Sequence, residues 1–100
     1  MTPLQKLEAA AEAYTKAAEA RLRMNRNNST MKGRAAAKRH ERATRDQFEK
    51  LVSQHPNEIV KLFRTYRRLQ QGLVGAASYP TEFVLSEATK IVEQSREILP

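Results

Sequence analysis

Large apolar side chains are shared very unequally along this chain. Residues 1–47 hold seven of them (Met1, Leu4, Leu7, Tyr14, Leu22, Met24 and Met31), and residues 48–100 hold nineteen. Burial stabilises in proportion to apolar area, at roughly 25 cal/mol per Å², so the second part is expected to carry most of the core. The first part has seven alanines between positions 9 and 20, which favour helix strongly but contribute little burial. The expected architecture is therefore all-α, with about four helices in one small domain. A basic, alanine-packed helical hairpin over 1–55 projects as an arm from a small helical core over 56–100.

Helix signals support that division. Thr2-Pro3-Leu4-Gln5 combines a capping threonine, a proline suited to the first helical position and a glutamine that completes a capping box. Leu4, Leu7, Ala11, Tyr14 and Ala18 then follow 3-4 spacing on one stripe. Glu12–Lys16 and Glu19–Arg23 are i,i+4 pairs in the favourable order. The polar run Asn25 to Ser29 ends this helix, and a second runs from about Thr30 to Gln54, stopped by Pro56. A third, from about Asn57 to Gln71, turns Ile59, Leu62, Phe63, Tyr66 and Leu69 inward, and Gly72 is expected to stop it in a left-handed conformation. A fourth follows a cap at Ser78 or Thr81 and buries Val84, Ala88, Ile91, Val92, Ile98 and Leu99. No period-2 strand pattern and no internal repeat occur.

The charge is as uneven as the core. Arg21, Arg23, Arg26, Lys32, Arg34, Lys38, Arg39, Arg42 and Arg45 crowd into 21–45 against one acid, Glu41. That segment is +8 by itself, whereas the whole chain is +7. Arg34, Lys38, Arg42 and Arg45 step by four, four and three, so they form one ridge of the second helix. Lys32 and Arg34 stand near that helix's start, where a cation opposes the helix dipole at a cost of about 0.3–1 kcal/mol. Folding alone would not choose them there, so the ridge is read as a surface for an anionic partner. The stretch contains no Phe, Tyr or Trp, which disfavours stacking on single-stranded bases. Duplex phosphates and an acidic protein groove remain as candidate partners, and arginine suits both through its two-pronged hydrogen bonding.

Two further segments are candidates for contact. Lys61, Arg64, Arg67 and Arg68 are expected opposite the core face of the third helix, as an ordinary charged face or a recognition helix after the short Pro56-Asn57 turn. The linker 72–80 is apolar and glycine-containing, and its Leu73, Val74, Tyr79 and Pro80 either cap the core or form a docking segment. The Tyr79–Pro80 bond is a candidate for slow cis–trans exchange, which would make the loop a prolyl-isomerase substrate. Gly72 and Gly75 lack the strands and basic residues of a KH-type loop.

Catalytic patterns are missing from the sequence: no phosphate-cradling glycine loop, no paired nucleophile and base, and no metal-ligand spacing. His40 beside Glu41 reads as a surface pair and His55 before Pro56 as a helix terminus. Cysteine is absent, and no apolar run approaches the ~18 residues of a membrane span. The expectation is a non-enzymatic, soluble, cytoplasmic protein without cofactor or membrane association.

In whole-chain character the sequence resembles the accessory anti-RecBCD proteins of lambdoid temperate bacteriophages, the short host-modulating type and not the Gam type. The features that carry the resemblance are about a hundred residues, all helix, no cysteine, and a basic arm from Arg26-Asn27-Asn28-Ser29 to Arg45. The resemblance implies a phage-encoded protein in a host bacterial cytoplasm that binds the recombination nuclease, at its RecC part, and alters its exonuclease activity and Chi response. It transfers no site residue. The functional expectation is a modulator of a RecBCD-like nuclease; the alternative is a direct duplex-DNA binder using its basic arm.

Overall fold

The computed structural model describes residues 1–26, 30–74 and 81–99. They form four helices: α1 (Pro3–Arg26), α2 (Met31–Val52), α3 (Asn57–Val74) and α4 (Thr81–Ile98). The all-α expectation of about four helices holds. The first terminus forms the capping box read from the sequence. Thr2 N–H donates to Gln5 Oε1 at 3.0 Å, and Gln5 N–H donates back to Thr2 Oγ1 at 3.1 Å. At the start of α2, Gly33 N–H donates to Thr30 Oγ1 at 3.1 Å. A β-carbon at Gly33 would lie 2.9 Å from Met24 Cε, the end of a flexible side chain that a small shift would clear.

Between α2 and α3 the chain reverses within four residues. Ser53, Gln54 and His55 N–H groups bond back to the carbonyls of Glu49, Leu51 and Val52, and the Pro56 carbonyl accepts from Ile59 and Val60. Proline has no N–H to continue α2, so the helix ends where the sequence says it must. α3 does not stop at Gly72; it continues to Val74. A single glycine weakens a helix by only about 0.5–1 kcal/mol, which does not by itself end one. The expected linker 72–80 is correspondingly shorter. Leu73 and Val74 belong to the last turn of α3, while Tyr79, Pro80 and the bond between them lie outside the described residues.

Each helix runs antiparallel to the one before it, and α1 and α3 occupy the middle with α2 and α4 on the flanks. α1 packs on α2 and α3, and α3 packs on α1 and α4. This corrects the expected arm. Leu4, Leu7 and Ala11 of α1 share one cluster with Phe48, Val52, Ile59 and Phe63, so the first helix is a central element of the core. The tally of large residues misled because burial follows position. Two leucines at the start of α1 and small alanines beyond them, including buried Ala17 and Ala18, suffice to hold a helix that is covered on two sides. The projecting character survives only in α2, which fully buries no side chain before Phe48.

Polar links also tie α1 to α3. Thr15 is buried; its hydroxyl donates to the Ala11 carbonyl at 2.9 Å and lies 3.4 Å from Gln70 Oε1. Gln70 Nε2 in turn donates to the Tyr66 hydroxyl at 3.0 Å, and the Tyr66 ring leans on Phe63 with centroids 5.3 Å apart. In α4, Ser95 is fully buried and donates to the Ile91 carbonyl at 2.7 Å, so its hydroxyl is satisfied within its own helix.

Two measurements follow from this packing. Leu7→Ala should lower the unfolding free energy by about 2–5 kcal/mol in urea denaturation followed by circular dichroism. A peripheral arm would give less than about 1 kcal/mol. Burial, with Glu8 and Glu12 nearby, raises the pKa of Tyr66 above its ordinary 10.0. The stability that its neutral form contributes is complete below pH 10 and is lost as pH rises through the higher folded value. A tyrosinate absorbance titration should therefore show a late step that disappears in Tyr66→Phe.

Candidate functional site

The basic segment is not one uniform patch. Arg21 is half-buried and its Nε pairs with Glu41 across the α1–α2 contact. Arg23 pairs with Glu19 one turn back, Nη2 to Oε1 at 2.8 Å. Arg26 is the last residue of α1. These positions close or edge the hairpin. The other exposed cations of the segment are on α2: Lys32, Arg34, Lys38, Arg39, Arg42 and Arg45. At about 100° per residue, Arg34, Lys38, Arg42 and Arg45 fall within roughly 80° of helix circumference, with Arg39 and Lys32 on one side. Among the described residues no carboxylate pairs with Lys32, Arg34, Lys38, Arg39 or Arg42, and Arg45 reaches only Asp46, at 3.7 Å.

The antiparallel contact explains why this face points outward. Tyr14 meets Phe48, ring centroids 6.2 Å apart, and Arg21 meets Glu41. Both pairs are centred on residue 31, so one register places both. In that register the side of α2 carrying Glu41, Thr44 and Phe48 turns toward α1, and the ridge, centred roughly 80° around the helix from it, flanks the contact with its side chains exposed. Glu41 was visible in the sequence as the lone acid of the segment. Its pairing with Arg21 becomes legible only when the hairpin is folded about residue 31.

The second basic group divides. Lys61, Arg64 and Arg68 are exposed on α3, as expected. Arg64 Nη2 bonds Glu49 Oε2 at 3.0 Å and so ties α3 to α2. Arg67 departs from the expected outer face: it is half-buried, with its guanidinium carbon 3.7 Å from the centre of the Tyr14 ring. Its Nη2 donates to Gln71 Oε1 at 2.8 Å, and its buried Nε finds no acceptor. Burial holds the Arg67 guanidinium below the usual arginine range, with Arg68 adding to the effect while Tyr14, Glu41 and Glu49 oppose it. In the sequence Arg67 has the same spacing as its exposed neighbours, and nothing near it points to Tyr14 on a distant helix; the inward turn comes from the tertiary position of Tyr14.

Arg45 joins the two groups. A cavity of about 250 Å³ between α2 and α3 is lined by Arg45, Arg64, Arg67 and Arg68 together with Glu49 and the rings of Tyr14 and Phe48. The ridge of α2 and the arginines of α3 thus meet at one place. Of the expected linker contacts, Leu73 and Val74 lie at the end of α3 and Tyr79 and Pro80 fall outside the described residues. Among the described residues, no group of three or more His, Asp or Glu is placed to hold a metal ion, and no helix is long and apolar enough to cross a membrane. No family model, curated protein or solved structure matches this chain.

The Arg21–Glu41 pair tests the register. Glu41→Gln should leave Arg21 without its charged partner and destabilise the fold by about 1 kcal/mol or less, since the pair is partly solvated. The denaturation midpoint should fall, and the loss should shrink in the Arg21→Gln background, as a double-mutant cycle would report.

Proposed function

We propose that this protein is a non-enzymatic binding protein that docks the cationic face of α2 on the phosphates of duplex nucleic acid. One observation carries the reading: six exposed cations of α2 form a face with no opposing carboxylate at five of them. The large apolar side chain exposed on this face is Met31, 81% exposed in the first turn of α2, and one such residue does not make the apolar centre that stable protein interfaces desolvate. The face's other non-charged exposed positions include Ala35, Ala36 and Ala43. A phosphate backbone needs no such centre, because its affinity comes from counterion release and charge-assisted hydrogen bonds. Contacts of this kind position a protein without reading sequence.

A second reading is supported by two exposed apolar residues that flank buried Val84 on α4. Phe83 and Leu85 of α4 are large apolar residues with 48% and 56% of their surfaces exposed, on the flank of the fold opposite α2. Apolar surface of this sort suits a protein partner. It favours a modulator of a host DNA-processing complex, of the RecBCD kind implied by the whole-chain resemblance, with α2 engaging an acidic or DNA-bearing surface of that complex.

The two readings separate in solution. Under the first, the protein retards a duplex of arbitrary sequence, and log K falls with log salt at a slope of about −4 to −5 for five or so phosphates neutralised. Reversing charge at Arg34, Lys38 and Arg42 should abolish retardation while leaving helix content unchanged, since all three side chains are exposed. Retardation that persists in this variant would make the ridge a solvated face only. Capture of a nuclease subunit from host lysate that survives nuclease treatment, and is lost on Phe83→Ser with Leu85→Ser, would replace the first reading by the second.

A further inference from the structure

We propose that the cavity between α2 and α3 formed by Arg45, Arg64, Arg67 and Arg68 is a discrete binding pocket for a phosphate group of a nucleic acid. It rests on the duplex reading of α2 for the source of the ligand, but its own evidence lies elsewhere in the structure. Four arginines face one cavity of about 250 Å³ that contains a single carboxylate, Glu49. That carboxylate is engaged by Arg64 at 3.0 Å, so the remaining cations have no strong anion inside the cavity.

Arg67 is the central observation. Its guanidinium is fixed on two sides, by the Tyr14 ring at 3.7 Å and by Gln71 at 2.8 Å. No carboxylate lies within ion-pair distance of it among the described residues, and its buried Nε has no acceptor. A partly buried cation without a counter-charge weakens the fold at neutral pH. The lowered pKa has that sign: the charged form is less favoured here than in the unfolded chain. An anion bound in the cavity would offset that cost.

The chemistry of the lining selects the class of anion. Arginine presents parallel N–H donors that match the oxygens of phosphate. Several arginines lining one cavity suit a tetrahedral group with oxygens on every side better than a planar carboxylate. Tyr14 and Phe48 also line the cavity, and the Tyr14 ring covers one face of the Arg67 guanidinium, where partial exclusion of solvent strengthens a charge-assisted bond. Because Arg45 belongs to both surfaces, a strand lying along α2 would deliver a phosphate to this cavity at the end of the ridge.

Inorganic phosphate is the first probe, titrated at constant ionic strength against chloride and followed by ¹H–¹⁵N correlation spectra of the full chain. Saturable shifts are expected around Arg45, Glu49, Arg64, Arg67 and Arg68. Arg68→Gln, an exposed position, should weaken the interaction roughly tenfold or more, the worth of one charge-assisted contact, with circular dichroism unchanged. Reversal of Arg34, Lys38 and Arg42 should leave the phosphate titration intact, so that a failed ridge and a failed pocket are told apart. A second titration adds a short duplex, with 5′-phosphate or 5′-hydroxyl ends, to the phosphate-loaded protein. Displacement by both assigns backbone diesters, and displacement by the phosphorylated duplex alone assigns a terminal monoester. Shifts that never saturate, that chloride reproduces, that survive Arg68→Gln unchanged, or that neither duplex displaces would overturn the proposal.

Discussion

The antiparallel contact between α1 and α2 decides what the rest of this molecule can present. α2 is a polar helix that buries only Phe48 and Val52, and it packs mainly on α1. The α1 it rests on is rich in alanine, with Ala17 and Ala18 buried. Small side chains allow close approach but supply little free energy per residue. The contact is therefore specified by a few larger pairings. Tyr14 against Phe48 fixes the core end and Arg21 against Glu41 fixes the distal end. Those two pairs set the register of α2 on α1, and the arginine ridge lies beside the contact with its side chains exposed.

That arrangement sorts the cations by what they do. Arg21, Arg23 and Arg64 each hold a carboxylate and serve the fold. Lys32, Arg34, Lys38, Arg39 and Arg42 hold none among the described residues and repel one another along a single helix. Exposed ion pairs contribute about 0–1 kcal/mol each, so the paired group is not the reason the chain folds. The unpaired group is a small standing cost. Lys32 and Arg34 add to it by sitting at the positive end of the α2 dipole, where only the Thr30 cap acts in the helix's favour.

Much of the architecture was legible because the signals were local. The Thr2–Gln5 capping box, the Leu4 to Ala18 stripe, the Pro56 break and the inward set Ile59, Phe63 and Tyr66 each depend on residues within a few positions of one another. Signals that depend on tertiary position were not legible. A count of large residues assigned the core to the second half, but Leu4 and Leu7 lie at the centre because α1 is covered by two helices. Gly72 looked like a stop, yet a stop requires a left-handed residue that the surrounding packing selects, and α3 passes through it. Among the candidate site residues, the ridge followed from helical periodicity alone. Arg67 did not, since nothing at 61–68 reveals that one arginine of the group has an aromatic ring waiting on another helix.

Arg67 also shows why the two basic groups belong to one surface. Had it pointed outward with Arg64 and Arg68, α3 would carry an ordinary charged face, separated from α2 by the Arg64–Glu49 link. Turned inward over Tyr14, it places positive charge in the seam between the helices, next to Arg45 at the end of the ridge. A guanidinium kept there by an aromatic face and an amide, instead of by a carboxylate, keeps its charge available to a ligand. A carboxylate in place of Gln71 would stabilise the seam and neutralise it at once. The molecule has an amide at that position, which holds the arginine in place without cancelling it.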